Sequence, residues 1–591
     1  MSNVAVKSTG MVDETFTVPS QGGRPVAFGA SAGFFHPAAG PVGVLLCSPW
    51  GYEELCCHKS WRVLAEHCAG AGFPTLRFDY PGCGDGLGAM DGVDDVVAWI
   101  EAVRQAAAEL KRLAGVRRVI LAGQGLGALL AREAAPSVEG LVAVVLMAPT
   151  AGGRRWAREL AAWSAMIDGA IGLERGPLAD GAIDVAGFRM TPALAASIRA
   201  IDHARAAPSV AVPHLLLARP GRDDDYRDRL AAAGATLETL PYDGYDALVG
   251  DPTSAVVPRA AIEALRDWLV RRFPTAGRAA GPRIASSSRL PSRAFAEEGM
   301  RFGPDGRLFG ILTTPAALGD GPTTAAILLN SGYDHHIGWA RSAVDQARAL
   351  AEAGVAAFRV DGARIGDSPA HDDSPRQVLY SDAQIADVSA AIDVLLFRGF
   401  ERVLLVGRCS GAYLALGAAV ADPRVGGVVL VNIRRLVWDP DEDVDEAIRN
   451  SFRSLSNYGS RLLRLDTLRR LVTGDIDVRR VGGDILRRLA QRAGVRLAPV
   501  TGRLTKYARL YREVRRRFDL LEARGCRVSM VFSEGDGGLD ELATYFGSGG
   551  RRLAAYPNVS LTLVPEADHN MTPAPARAAL RAHVVDFACR E

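Results

Sequence analysis

The residues richest in chemistry lie in VLLVGRCSGAYLAL, residues 403–416. An apolar run gives way to Gly407-Arg408-Cys409-Ser410-Gly411 and then to a helical pattern. Two glycines flanking the middle residue make room for a sharp turn that holds it in strained φ/ψ. The turn presents that residue at the start of a helix, where unpaired N–H groups and the helix dipole favour an anion. A thiolate is such an anion, so a cysteine placed there has its pKa lowered. Cys409 can be read as a working nucleophile, as a lesion in a serine enzyme, or as a small buried thiol. Ser410 is out of phase with the glycines and is not the expected nucleophile. A cysteine nucleophile would form a thioester acyl-enzyme. Thioesters favour amines and thiols over water more than oxygen esters do, which tilts the expected chemistry towards acyl transfer.

Such a turn has to stand on a rigid sheet. Short runs of Val, Leu and Ile alternate with Ala-rich helical patterns along the chain, as for strands buried on both faces of a parallel sheet. VGVLL (42–46), PTLRF (74–78), RVILAG (118–123), VAVVLM (142–147), HLLLA (214–218) and LETL (237–240) are the strands expected in the first half. In a parallel sheet, active groups collect at the carboxyl ends of the strands, where Cys409 stands.

The chain also contains itself twice. VGVLLCSPWGYEEL (42–55) answers AAILLNSGYDHHIG (325–338), and AGFPTLRFDYPGCGDG (71–86) answers AGVAAFRVDGARIGDS (353–368). RRVILAGQGLGALLA (117–131) answers ERVLLVGRCSGAYLA (401–415), and PHLLLARPGRDDDY (213–226) answers CRVSMVFSEGDGGL (526–539). The period of about 280 residues is domain-sized. The expected class is therefore α/β, with two tandem doubly wound units. The first covers 1–274 and the second 296–591, with a Pro-, Gly- and Ser-rich linker at 275–295. Residues 433–525 read as a helical cap inserted in the second unit, with Leu462, Leu463, Leu468 and Leu471 packing onto the core or lining an acyl pocket. This cap holds 21 Arg and one Lys against 13 acidic residues.

With the elbow G407-R-C-S-G411, the loop DGARIGDS (361–368), the acid in VFSEGDGG (531–538) and the histidine in EADHNM (566–571), the chain resembles the α/β-hydrolase superfamily. More narrowly, RALAEAGVAAFRVDGARIGDS and RVLAEHCAGAGFPTLRFDYPGCGDG resemble the paired hydrolases associated with exosortase systems. The superfamily's chain order of nucleophile, acid and histidine implies Cys409, Asp536 and His569 as the catalytic set. Glu534 and Asp540 are rival acids. Cys409 would attack a carbonyl, His569 would handle the proton, and Asp536 would orient the imidazole. The oxyanion would be met by the backbone N–H of Ser410 and of Tyr333. His335 and His336, just behind, are expected either to be solvent-exposed or to line a substrate pocket.

The first half has Gly125 at the nucleophile position and Gly244-Tyr245 where the second has Asp568-His569. It is expected to be catalytically silent, with Asp223, Asp224 or Asp225 left as an acid without a histidine. Such a unit could serve as a packing partner, a cleft wall or a docking surface.

Composition narrows the setting. The 591-residue chain is 48% hydrophobic and 23% charged, with a net charge of +2, which points to neither nucleic acid nor a membrane as partner. No signal-peptide pattern and no spanning apolar run is seen, so a cytoplasmic protein is expected. The eight cysteines include the adjacent pair Cys56–Cys57 and no C-x-x-C, so no metal and no cofactor is expected. The Arg-rich cap is either a solvated helical face or a surface for an anionic partner such as acyl-CoA or an acyl carrier protein carrying a small acyl substrate. Three functions compete: acyl transfer or thioesterase-like chemistry through Cys409, simple hydrolysis of an ester, lactone or thioester, and a non-catalytic scaffold.

Overall fold

The computed structural model describes residues 22–171, 178, 180–202, 210–273, 275, 287–317, 323–370, 377–444, 494 and 505–590. Two large mixed sheets dominate it. In sheet order the first runs Arg24–Phe28, Ser31–His36, Thr75–Phe78, Val42–Cys47, Arg118–Gln124, Leu141–Met147, His214–Ala218, Leu237–Pro241. The second runs Arg289–Pro291, Phe295–Phe302, Leu308–Pro315, Ala356–Asp361, Thr324–Leu328, Arg402–Arg408, Val425–Val431, Arg527–Ser533, Val559–Val564. With Arg289–Pro291 set aside, the two orders are the same.

All six runs expected as strands in the first half are strands. Val42–Cys47 is buried at every position, as a central strand covered on both faces must be. Trp99, Leu110 and Leu129 pack on one face of the first sheet, and Trp61, Leu64 and Trp268 on the other. Ile392, Leu416 and Phe518 cover one face of the second, and Ala347, Leu350 and Val584 the other. Each sheet is thus the middle of three layers.

Two features differ from the sequence expectation. Each sheet starts with antiparallel strands, such as Arg24–Phe28 against Ser31–His36, outside the parallel pattern. The stretch expected as linker holds a short strand, Arg289–Pro291, paired antiparallel to Phe295–Phe302. Leu290 alone is buried there, between exposed neighbours. One inward side chain and edge pairing suffice for this strand, and neither leaves a periodic signal. Of the expected cap, residues 445–504 apart from Gly494 lie outside the described residues, including the four leucines at 462, 463, 468 and 471. Its described end is the helix Lys506–Ala523, capped by Thr505 Oγ1 accepting from Ala508 N at 3.2 Å. Among the described residues, no helix is long and apolar enough to cross a membrane.

The halves meet reciprocally. Arg77 of the first half pairs with Asp367 of the second, and Arg359 of the second pairs with Asp85 of the first at 2.5 Å. These are corresponding residues in the matching loops RFDYPGCGD and RVDGARIGD. Arg62 Nε donates to Gly366 O at 3.0 Å, and Arg341 reaches back to Gly84 O at 2.7 Å. Phe34 and Phe309 meet edge-on between them, with centroids 4.7 Å apart.

Candidate functional site

The strand Arg402–Arg408 runs parallel between Thr324–Leu328 and Val425–Val431 and ends at Cys409. Cys409 has φ 56° and ψ −116°, and the helix Ser410–Ala421 begins at the next residue. Its N–H donates to Val431 O at 2.9 Å, which ties the turn to the sheet. Both flanking glycines are required by space. A Cβ on Gly407 would strike Gly411 O, and one on Gly411 would strike Asn330 O. The turn therefore has the backbone geometry of the sharp strand-to-helix elbow.

Two further loops converge on it. Asp536 follows the strand Arg527–Ser533, and His569 follows Val559–Val564. Asp536 Oδ2 lies 2.7 Å from His569 Nδ1, and Asp536 Oδ1 accepts from Gly538 N at 2.7 Å. Asn432 donates to His569 O at 2.9 Å and to Ser533 Oγ at 2.9 Å, pinning the histidine loop to the acid's strand. Of the rival acids, Glu534 is exposed. Burial opposes ionisation of Cys409, but the charge and hydrogen bond of His569, then Arg434 and Arg408, bring its pKa down to about 6. Burial and Arg434 disfavour charge on His569, yet Asp536 and Cys409 raise it above its ordinary value. Asp536 is itself held at about 2, against burial, by His569 and Arg434. The electrostatics favour a thiolate–imidazolium pair.

Arg434 was not singled out from sequence. Its Nε stands 3.3 Å from His569 Nδ1, and its Nη2 3.5 Å from Asp536 Oδ2. Also unforeseen is Tyr380, held at φ 59°, whose hydroxyl lies 3.8 Å from Cys409 Sγ. Its ring stacks on Trp438 at 4.8 Å and meets Tyr413 edge-on. With Val378, Leu379 and Tyr333 these rings form an apolar wall beside the thiol.

Ser410 is the first residue of its helix, where backbone N–H groups lack intrahelical partners. Its hydroxyl accepts from Gly332 N at 2.8 Å, so it ties the elbow to the loop carrying Tyr333. The Tyr333 hydroxyl donates to Gln377 Oε1 at 2.8 Å. Behind this loop, the expectation of solvent-exposed histidines is overturned: His335 and His336 are each 3% exposed. Groups from the first half cover them. His335 stacks on His58 at 3.5 Å, and His336 Nε2 lies 2.7 Å from Asp85 Oδ2. Both also border a cavity of about 100 Å³ that reaches Gly407, Arg408 and Asn570.

In the first half Gly125 has φ 53° and ψ −116°, the same turn without a side chain. A Cβ there would fall on the Glu53 carboxylate. Glu53 Oε1 accepts from Gln124 Nε2 at 2.9 Å and from the Tyr245 hydroxyl at 3.0 Å. Asp223, at the acid position, is bound by Arg219 at 2.7 Å instead of by a histidine. Asp224 pairs with Arg227 at 2.8 Å on the surface.

Metal-ligand types gather twice at the interface: Glu54 with His58 and His335, and His336 with Asp361 and Asp367. In both, hydrogen bonds already occupy donor atoms. His58 Nδ1 lies 2.8 Å from Glu54 and its Nε2 2.9 Å from Asp367, while His336 is bonded at both nitrogens. The cysteines, Cys56 and Cys57 included, are free thiols.

Residues 33–299 match the family model described as the alpha/beta hydrolase family. That stretch carries Gly125, not Cys409. No curated relative matches the chain. Among solved structures, the chain is similar to a cold-adapted esterase from an Arctic intertidal metagenomic library, at 16% identity and TM-score 0.28, over 51% of this chain and 99% of that one. It is similar to Est1E from Butyrivibrio proteoclasticus with bound ferulic acid, at 15% identity and TM-score 0.32, over 42% and 98%. It is also similar to a proline iminopeptidase from Mycobacterium smegmatis, at 16% identity and TM-score 0.31, over 51% and 97%. Residues 33–299 thus match the α/β-hydrolase family, and the second sheet repeats the strand order of the sheet those residues build.

Proposed function

We propose that the second half is a cysteine-dependent acyltransferase or thioesterase-like enzyme working through an acyl-Cys409 thioester. The observation that carries the reading is the Asp536–His569 pair at 2.7 Å beside a thiol whose pKa is lowered to about 6. The thiolate of Cys409 attacks the carbonyl carbon of an acyl donor, and its electron pair becomes the new C–S bond. The carbonyl oxygen takes the negative charge and is met by the N–H of Ser410 and of Tyr333. As the tetrahedral intermediate collapses, the leaving thiolate or alkoxide takes the proton from His569. The acceptor then gives its proton to His569 as it attacks the thioester carbonyl, and Cys409 leaves as thiolate. Asp536 holds the imidazole's Nδ1–H throughout.

The Tyr380–Trp438–Tyr413 wall suits an apolar acyl group. Arg434 and the Arg-rich cap suit a donor with an anionic carrier, such as acyl-CoA or an acyl carrier protein. The loops shared with the exosortase-associated hydrolases fit a biosynthetic setting. The two halves, divided within 275–295, descend from one duplicated unit, and the first is silent. The family match favours a second reading, with water as acceptor.

Intact-mass screening against a panel of acyl thioesters tests the proposal. The expected result is one acyl adduct, lost in Cys409→Ala. No adduct with any thioester or activated ester would overturn it. Products formed with and without added amines, thiols and alcohols then separate transfer from hydrolysis.

A further inference from the structure

We infer that Asp85, in the silent first half, is a positioning residue for the oxyanion side of Cys409 in the second half. The inference rests on the reading of Cys409 as an acylated nucleophile.

A continuous set of hydrogen bonds joins the two places. Asp85 is buried and lies 2.7 Å from His336 Nε2. The other ring nitrogen of His336 lies 2.8 Å from Asp361 Oδ2, and its backbone N–H donates to Asp361 Oδ1 at 2.8 Å. With a carboxylate at each nitrogen, the ring is an imidazolium that donates both ways. Asp361 Oδ1 also accepts from Asn330 Nδ2 at 3.0 Å, and Asn330 Nδ2 donates to Asp334 O at 3.0 Å. Residues 330–334 are the loop that faces the elbow. Gly332 N donates to Ser410 Oγ at 2.8 Å, and Asp334 takes Arg408 at 3.3 Å. These bonds fix the backbone of 330–334 relative to the residues on either side of Cys409. Oxyanion stabilisation is steep in donor position, so a loosened loop costs rate without touching the thiol.

The pseudo-symmetric interface supplies its own control. Asp367 corresponds to Asp85 and is equally enclosed, and its side chain takes Arg77 and His58, both of the first half. The backbone N–H of each donates to the aspartate six residues earlier, Asp85 to Asp79 at 3.0 Å and Asp367 to Asp361 at 2.9 Å. Both carboxylates hold the halves together. The Asp85 side chain reaches the loop facing the nucleophile by an unbroken series of hydrogen bonds through His336 and Asp361, whereas, among the described residues, the Asp367 side chain approaches it only through His58, by ring stacking on His335 and the longer Glu54–His335 contact at 3.5 Å.

The test compares Asp85→Asn with Asp367→Asn in the full chain. Acylation of Cys409 by p-nitrophenyl acetate is expected to fall at least tenfold in Asp85→Asn and to stay within threefold in Asp367→Asn. Alkylation of Cys409 by iodoacetamide is expected to stay within twofold in both. Equal acylation losses in the two variants, or none in Asp85→Asn, would overturn the inference. A wild-type chain inert to the ester would fail the acylation reading instead. Amide exchange still decides the inference in that case: residues 330–336 are expected to exchange at least fivefold faster in Asp85→Asn alone, and unchanged exchange would overturn it. If Asp85→Asn does not fold, His336→Gln cuts the same chain one step on and must give the same split.

Discussion

Cys409 and Gly125 occupy the same strained turn in two matching elbows, at φ/ψ of 56°/−116° and 53°/−116°. One turn carries a thiol and the other only hydrogen. The backbone turn needs no side chain, because Gly adopts positive φ without cost.

Restoring a side chain there is not expected to restore activity. Gly125→Cys places a thiol against the Glu53 carboxylate, with Tyr245 bonded to Glu53 where a histidine would be needed. Peptide mass mapping after incubation with a donor thioester should find acyl groups on Cys409 and none at position 125.

Asp536→Asn removes the carboxylate that supports charge on His569. Less imidazolium means a less stabilised thiolate, so the Cys409 pKa rises from about 6. Turnover of a donor thioester should fall roughly 10²- to 10⁴-fold, the range for losing general acid–base support. A pH–rate profile displaced to higher pH checks the sign.

Gly411→Ala tests the packing of the elbow against the loop that faces it. The new Cβ would strike Asn330 O. A loss of about 1–3 kcal/mol, as for an overpacked core site, is expected in denaturant unfolding. Gly417→Ala on the same helix, with a neighbour no nearer than 3.5 Å, should be close to neutral.

The interface should weaken in alkali. Burial opposes charge on His58, but Asp367 and Glu54 raise its pKa to about 9. A raised folded-state pKa contributes stability that is full below the ordinary histidine value and lost as pH rises through the folded value. The melting temperature should therefore fall as pH rises from the ordinary histidine value of about 6.5 to about 9, and His58→Gln should flatten that fall.

The central parallel strands were legible because a strand buried on both faces, such as Val42–Cys47, is a run of apolar residues and needs no context. Cys409, Asp536 and His569 could be singled out because each follows the carboxyl end of a parallel strand, Arg402–Arg408, Arg527–Ser533 and Val559–Val564. The antiparallel strands at the sheet edges were not, because Arg24–Phe28 is five residues long with a proline at its second position and buries only Val26. His335 and His336 were misjudged for a different reason. They are polar loop residues, and what buries them is His58 and Asp85, more than 250 residues away. The matching R-x-D and G-D positions of the two halves were visible as a repeat, but their exchange across the interface is a property of the assembled fold. Tyr380 and Arg434 belong to no motif and reach the thiol only through loop geometry.

The central claim is that Cys409 is an activated thiolate, and the pH dependence of its alkylation tests it most directly. Iodoacetamide labelling of Cys409, followed by mass spectrometry between pH 4.5 and 9.5, should rise with a midpoint near the value of about 6 set by His569, Arg434 and Arg408. A profile that stays flat below pH 7 and rises only above pH 8, like that of an ordinary thiol, would contradict it.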